Sequence, residues 1–206
     1  YIIKTIIVPV DFSSESIHGL EMAILFGKKE NANIQMVYVQ KKSNDFRPGT
    51  FEEEHKYAEA EFDKLFQKYS SQIAADSKLR FIIKKGKIYQ EIIEQAESYK
   101  ESIIVASTHG ASGFEEYFIG SNAYKIITGT KTPVLTVRKK PPTVIKKIVA
   151  PLRLHVDTRQ KAPVASEIAH LFGAEIHLIS ISVTNNVKDQ KRLNDILTPL
   201  KENIKN

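Results

Sequence analysis

The sequence predicts a doubly wound α/β domain followed by a partial second copy of the same pattern. Three observations carry this expectation. Short β-branched runs with little polar alternation suit parallel strands covered on both faces. Helical periodicities separate those runs, as strand–helix alternation requires. After Pro141-Pro142 the pattern restarts, the mark of an internal duplication.

The elements follow in order. Strands are expected at 5–10, 34–39, 79–84, 102–106 and 133–137. Between them, apolar residues three or four apart predict helices: Ile17, Leu20 and Ile24; a long run from Phe51 through Ala58, Phe62 and Tyr69 to Ile73; Ile88, Ile92, Ala96 and Tyr99; then Ala123, Ile126 and Ile127. Ser13 and Ser14 are N-cap candidates for the first helix, because a short hydroxyl side chain can bond the free N–H groups of a first turn. Gly27 and Gly86 mark a helix end and a strand turn. Residues 41–50, with Asn44, Asp45, Pro48 and Gly49, read as a surface loop.

In the second copy, KTIIVPV at Lys4 returns as KKIVAPL at Lys146, LFG at Leu25 returns at Leu171, and NIQMVYV at Asn33 is echoed by EIHLISI at Glu175. A last amphipathic stretch runs through Leu193, Ile196, Leu200 and Ile204, interrupted at Pro199 with Thr198 as a cap. Nothing follows that corresponds to residues 78–138. The expected division is therefore a first domain at 1–138, a linker at 139–145 and an incomplete second domain at 146–206.

Composition narrows the function classes. At 206 residues and 42% hydrophobic, the chain can bury a sizeable core. It contains no cysteine, which excludes a disulfide scaffold and thiolate metal sites and fits a reducing compartment, so the cytoplasm is the expected location. No apolar run approaches the ~20 residues that cross a bilayer, and the opening segment is too interrupted for a signal sequence. The net charge of +6 arises entirely after residue 138: residues 1–138 carry 18 Lys/Arg and 18 Asp/Glu, and residues 139–206 carry 12 and 6. Lys139, Lys140, Lys146 and Lys147 have no interleaved aromatics to stack on bases, so a solvated linker is expected and not a nucleic-acid surface.

Ligands of a doubly wound sheet bind beyond the carboxyl ends of its strands. After the first strand stand Pro9, Val10 and Asp11; after the second, Val39; after the fourth, Ser107, Thr108, His109 and Gly110. The last loop continues through Gly113 to Gly120-Ser121-Asn122, which opens a helix. Glycines admit close backbone approach, and a helix N-terminus with a hydroxyl cradles an anion. The arrangement suits a nucleotide, with the Gly120 amide expected against a phosphate.

These residues resemble the universal stress protein family over the whole chain. Ser107-x2-Gly110-x9-Gly120-Ser121 matches that family's Gly-x2-Gly-x9-Gly-Ser/Thr at every defined position but the first, and Val8-Pro9-Val10-Asp11 matches its V-P-x-D. The resemblance implies a five-stranded sheet of order 3-2-1-4-5, tandem-domain members, and homodimers formed along the last strand, here 133–137. It implies that Val10, Asp11 and Val39 line the adenine and ribose end. Gly110, Gly120, Ser121 and Asn122 would hold the phosphates of ATP, with Mg²⁺.

Other readings stay open beside this one. Ser107 could crowd a ribose or replace a lost contact; Asp11 could be a helix cap; the loop glycines could serve only the turn. His109 reads as a positioned loop residue, since no orienting carboxylate and nucleophile accompany it, and Glu115 and Glu116 as solvated. The remaining histidines lack metal-ligand spacing. In the second copy Arg153 stands where Asp11 stands, and no phosphate loop follows. The chain also lacks GxxxxGK[ST] and GxGxxG. The leading expectation is a non-enzymatic, ATP-binding stress-response module acting through conformation or partner contacts, without membrane or nucleic-acid partners. The alternatives are a nucleotide-free dimerisation module and a slow ATPase or phosphotransferase using His109, Ser121 or Glu115.

Overall fold

The structure, a computed structural model, describes residues 3–41, 50–108, 119–152 and 161–180, with Lys191 and Asp195. They fall into two compact units, within 2–141 and within 142–206. In the first, five parallel strands alternate with four helices: β1 (Thr5–Pro9), α1 (Ser14–Glu30), β2 (Asn33–Lys41), α2 (Thr50–Tyr69), β3 (Leu79–Gly86), α3 (Ile88–Glu97), β4 (Ser102–Ser107), α4 (Ser121–Gly129) and β5 (Val134–Val137). The sheet order is β3-β2-β1-β4-β5, as the resemblance implies. Ile6 lies opposite Ile34 on one side and Ile103 on the other.

Both sheet faces are covered, which explains the strands' lack of polar alternation. On one face Ile7, Val37, Val39, Ile104 and Ala106 pack with Ile92 and Ala96 of α3 and Ile126 of α4. The alternate positions Ile6, Val8, Ile34 and Met36 are equally buried, on the face where α1 and α2 rest. There Phe62 of α2 stacks on Phe81 of β3 with centroids 4.4 Å apart, and the Tyr69 hydroxyl donates to Glu21 of α1 at 3.0 Å.

Three local expectations are corrected. Gly27 lies inside α1; a Cβ there would approach the Ile34 side chain to 3.3 Å, so this glycine admits the sheet. The helix instead ends at Asn31, in the left-handed region at φ 52°, where the N–H of Ala32 donates to the Gly27 carbonyl. Asparagine tolerates that conformation better than most residues. The long second helix stops at Tyr69, followed by a 3-10 turn at Ser70–Gln72. The 41–50 loop is shorter at both ends, because Lys41 belongs to β2 and Thr50 to α2; residues 42–49 lie outside the described residues.

In the second unit β6 (Lys147–Leu152) and β7 (Glu175–Ser180) form a parallel pair joined through α5 (Lys161–Phe172). The register sets Lys147 opposite Glu175 and Pro151 opposite Ile179. Apart from Asp195, the final amphipathic stretch predicted over 193–204 lies outside the described residues, as does Arg153. Among the described residues no helix is long and apolar enough to cross a membrane.

Candidate functional site

Strand order reverses between β1 and β4, since β1 leads leftward to β2 and β4 leads rightward to β5. At the carboxyl ends of these strands opens a cleft of about 680 Å³, within the range of small-molecule sites. Of the residues singled out by sequence, Pro9, Val10, Asp11, Val39 and Ser107 line it from the strand ends, and Gly120, Ser121 and Asn122 from the start of α4. His109 and Gly110 lie outside the described residues, as do Gly113, Glu115 and Glu116. Ile88, Ile92 and Ile126 supply an apolar wall from α3 and α4.

On the β1 side, Asp11 is tied into the turn before α1. Its carboxylate accepts from the backbone N–H and the hydroxyl of Ser13, while the Ser13 hydroxyl accepts from the N–H of Ser16 at 3.2 Å. Ser13 is thus the N-cap, and Asp11 braces the cap, so the capping role and the cleft-lining role coexist. Glu15 adds an acidic side chain in the first turn. Hydrogen bonds from its own backbone N–H and then Ser14 hold its carboxyl below the usual value. Between Asp11 and Ser13, Phe12 has φ 63°, a region that costs a residue with a side chain about 1–2 kcal/mol. Its ring stacks on Tyr38 at 5.2 Å and meets Phe62 edge-on at 5.0 Å; this packing holds the strained turn in place.

The β4 side is built differently. Gly120 is the residue before α4, with φ −54° and no side-chain cap bond, and no acidic residue occupies the first turn. Its N–H donates to the Thr108 carbonyl at 2.7 Å, and the Thr108 N–H donates to Val137 at 2.9 Å. The Gly120 amide thus closes the base of the loop, while the residue itself lines the cleft. The donors left for an anion are the N–H groups of the next residues, Ser121 to Ala123, which have no intrahelical carbonyl to bond, aided by the helix dipole.

Sequence reasoning missed Thr108, Tyr38 and Glu54. Thr108 stood in the strand-end string without a role. Tyr38 and Glu54 line the cleft from β2 and α2, and the Tyr38 hydroxyl donates to Glu54 at 2.7 Å. Burial, then Glu54, hold the Tyr38 phenol protonated well above the ordinary tyrosine range. No local signal marks Glu54, which is one glutamate in a run of three.

Residues 3–138 match the model described as the Universal stress protein family. A relative, Universal stress protein MJ0531 of Methanocaldococcus jannaschii, is 29% identical over 150 residues, 66% of this chain and 82% of that protein. Among solved structures, a universal stress protein from Archaeoglobus fulgidus superposes with a TM-score of 0.73 at 20% identity, covering 95% of this chain and 72% of that one. A universal stress protein in complex with cAMP superposes with a TM-score of 0.52 at 20% identity, covering 68% of this chain and all of that one.

Proposed function

The chain belongs to the universal stress protein family, and from that premise we propose that its cleft binds an adenine nucleotide, ATP with Mg²⁺. Occupancy would then bias the protein's conformation or its contacts with partners. The observation that carries this reading is the start of α4, which opens into the cleft without a side-chain cap or an acidic first turn. Triphosphate oxygens fit those N–H groups and the Ser121 hydroxyl, and the apolar wall of Val10, Val39 and Ile88 suits a purine. No group of three or more His, Asp or Glu side chains that could hold a metal gathers among the described residues, so Mg²⁺ would be held chiefly by the phosphates, as is common for that ion.

The protein acts in this reading as a cytoplasmic binding module and not as an enzyme. It forms homodimers along β5, whose outer edge is free in the sheet order. The second unit is a second copy of the fold without a nucleotide site of its own. The test is calorimetric titration of the whole chain with ATP and Mg²⁺, with chromatography of the supernatant after denaturation to detect nucleotide carried through purification. Binding of one nucleotide per chain is expected. Absence of both heat and carried nucleotide overturns the reading in favour of a nucleotide-free dimerisation module, and turnover well above background favours a phosphotransferase.

A further inference from the structure

The two sides of the cleft differ in charge as well as in capping. At the start of α4 the lining offers N–H donors and the Ser121 hydroxyl; on the β1–β2 side its polar groups include two carboxylates, Asp11 and Glu54. Tyr38 sits on β2 and the loop base at Thr108 follows β4, two strand positions away in the order β2-β1-β4, or roughly 10 Å at ordinary strand spacing. A ligand whose anion rests on α4 therefore presents its other end to Asp11 and Glu54. Glu54 accepts the Tyr38 hydroxyl through one oxygen. The Lys64–Glu61 ion pair and the His55–Glu59 contact within α2, and the Lys84 pairs with Glu91 and Glu94, leave Glu54 out. Glu54 thus takes part in no ion pair among the described residues. A carboxylate in that position accepts hydroxyl or amino hydrogens and repels a second phosphate.

We propose that Glu54, together with Asp11, makes this a phosphate-excluding end. It selects nucleotides phosphorylated on the 5′ side with free ribose hydroxyls over nucleotides that also carry phosphate on the 2′ or 3′ oxygen. This rests on the nucleotide-binding reading above. Like charges brought together at a site are costly, and discrimination of at least about tenfold is expected at low salt, shrinking as salt screens the repulsion.

The test is calorimetric titration of the whole chain with ATP, with adenosine 5′-monophosphate and with adenosine 3′,5′-bisphosphate, repeated on Glu54→Gln. The glutamine keeps an oxygen for the Tyr38 hydroxyl and removes the charge. The wild type is expected to prefer the monophosphate by at least about tenfold. The variant should gain affinity for the bisphosphate, so that the preference for the monophosphate narrows. A gain is the diagnostic result, because a merely structural role for Glu54 would lower both affinities together. ATP binding by the wild type with no preference between the two test ligands, or with a preference unchanged in Glu54→Gln, overturns this inference alone. Failure of the wild type to bind any of the three overturns the nucleotide reading and this inference with it.

Discussion

Helices α1 and α4 both begin at the carboxyl edge of the sheet, on the two sides of one cleft, and they end their backbones differently. α1 completes itself: Ser13 caps it, Asp11 braces the cap, and Glu15 places negative charge in the first turn. α4 follows Gly120, which has no side chain to cap with, and carries no acid in its first turn. The same backbone demand, free N–H groups and a positive dipole end, is met from within in one helix and left open to the cleft in the other. A helix start finished by its own side chains is there for stability. One left bare at a cleft is where binding energy can be gained.

The comparison can be broken by giving α4 what α1 has. Gly120→Asp places a strong N-cap residue where the phosphates are proposed to sit, so the new carboxylate bonds the N–H groups that the ligand needs. ATP affinity should fall at least about tenfold to a hundredfold, as expected for losing one or two charge-assisted bonds of roughly 1.5–3 kcal/mol each. Thermal stability should hold or rise, because Asp caps better than Gly by a few tenths of a kcal/mol. Loss of binding accompanied by a lowered melting temperature would instead indicate general damage. The reverse experiment removes a cap from α1: Ser13→Ala should cost about 1 kcal/mol of stability in denaturant unfolding, and a cost near zero would mean that the bonds to Ser16 and Asp11 contribute nothing net.

Smaller effects sharpen the α1 side. Phe12→Gly and Phe12→Ala lose the same ring contacts, but only glycine relieves the positive φ, so the glycine variant should be the more stable of the two by about 1 kcal/mol. Equal stabilities would show that the left-handed turn carries no strain. The smallest effect is electrostatic. The folded pKa of Glu15 is lowered, so its contribution is present above the unfolded value of about 4.3 and is lost as the pH falls through the lowered folded value. Glu15→Gln should therefore match the wild type's acid unfolding below that window and be slightly less stable above it. A parallel displacement of the two curves at every pH would remove the electrostatic account.

Much of this was legible in the sequence because it depends on neighbours along the chain. Strand runs such as Ile6-Ile7-Val8, the cap at Ser13, and the strand-end positions of Asp11, Val39 and Ser107 are set by periodicity and by the rule that ligands bind past strand ends. Glu54 was not legible, since it reaches the cleft through the packing of α2 on β2 and β3, and no local pattern separates it from Glu52 or Glu53. Gly27 misled for the same reason: a glycine near a helix end resembles a stop, while its real constraint is the approach of Ile34 from another element.

The segments whose sequences echo one another show the division most plainly. By its own pattern the sequence determined that KIVAPL and EIHLIS are strands, as the earlier segments they echo are, and β6 and β7 pair accordingly. It could not determine what those strands bury. Val149 and Ile179 occupy the places of Ile7 and Val37, yet they are 58% and 45% exposed where Ile7 and Val37 are 0% and 1%. The residues are of one kind in both units. Strand formation follows from local side-chain and backbone preferences, whereas burial requires a covering surface: α3 and α4 provide it for Ile7 and Val37, and among the described residues of the second unit nothing does so for Val149 and Ile179.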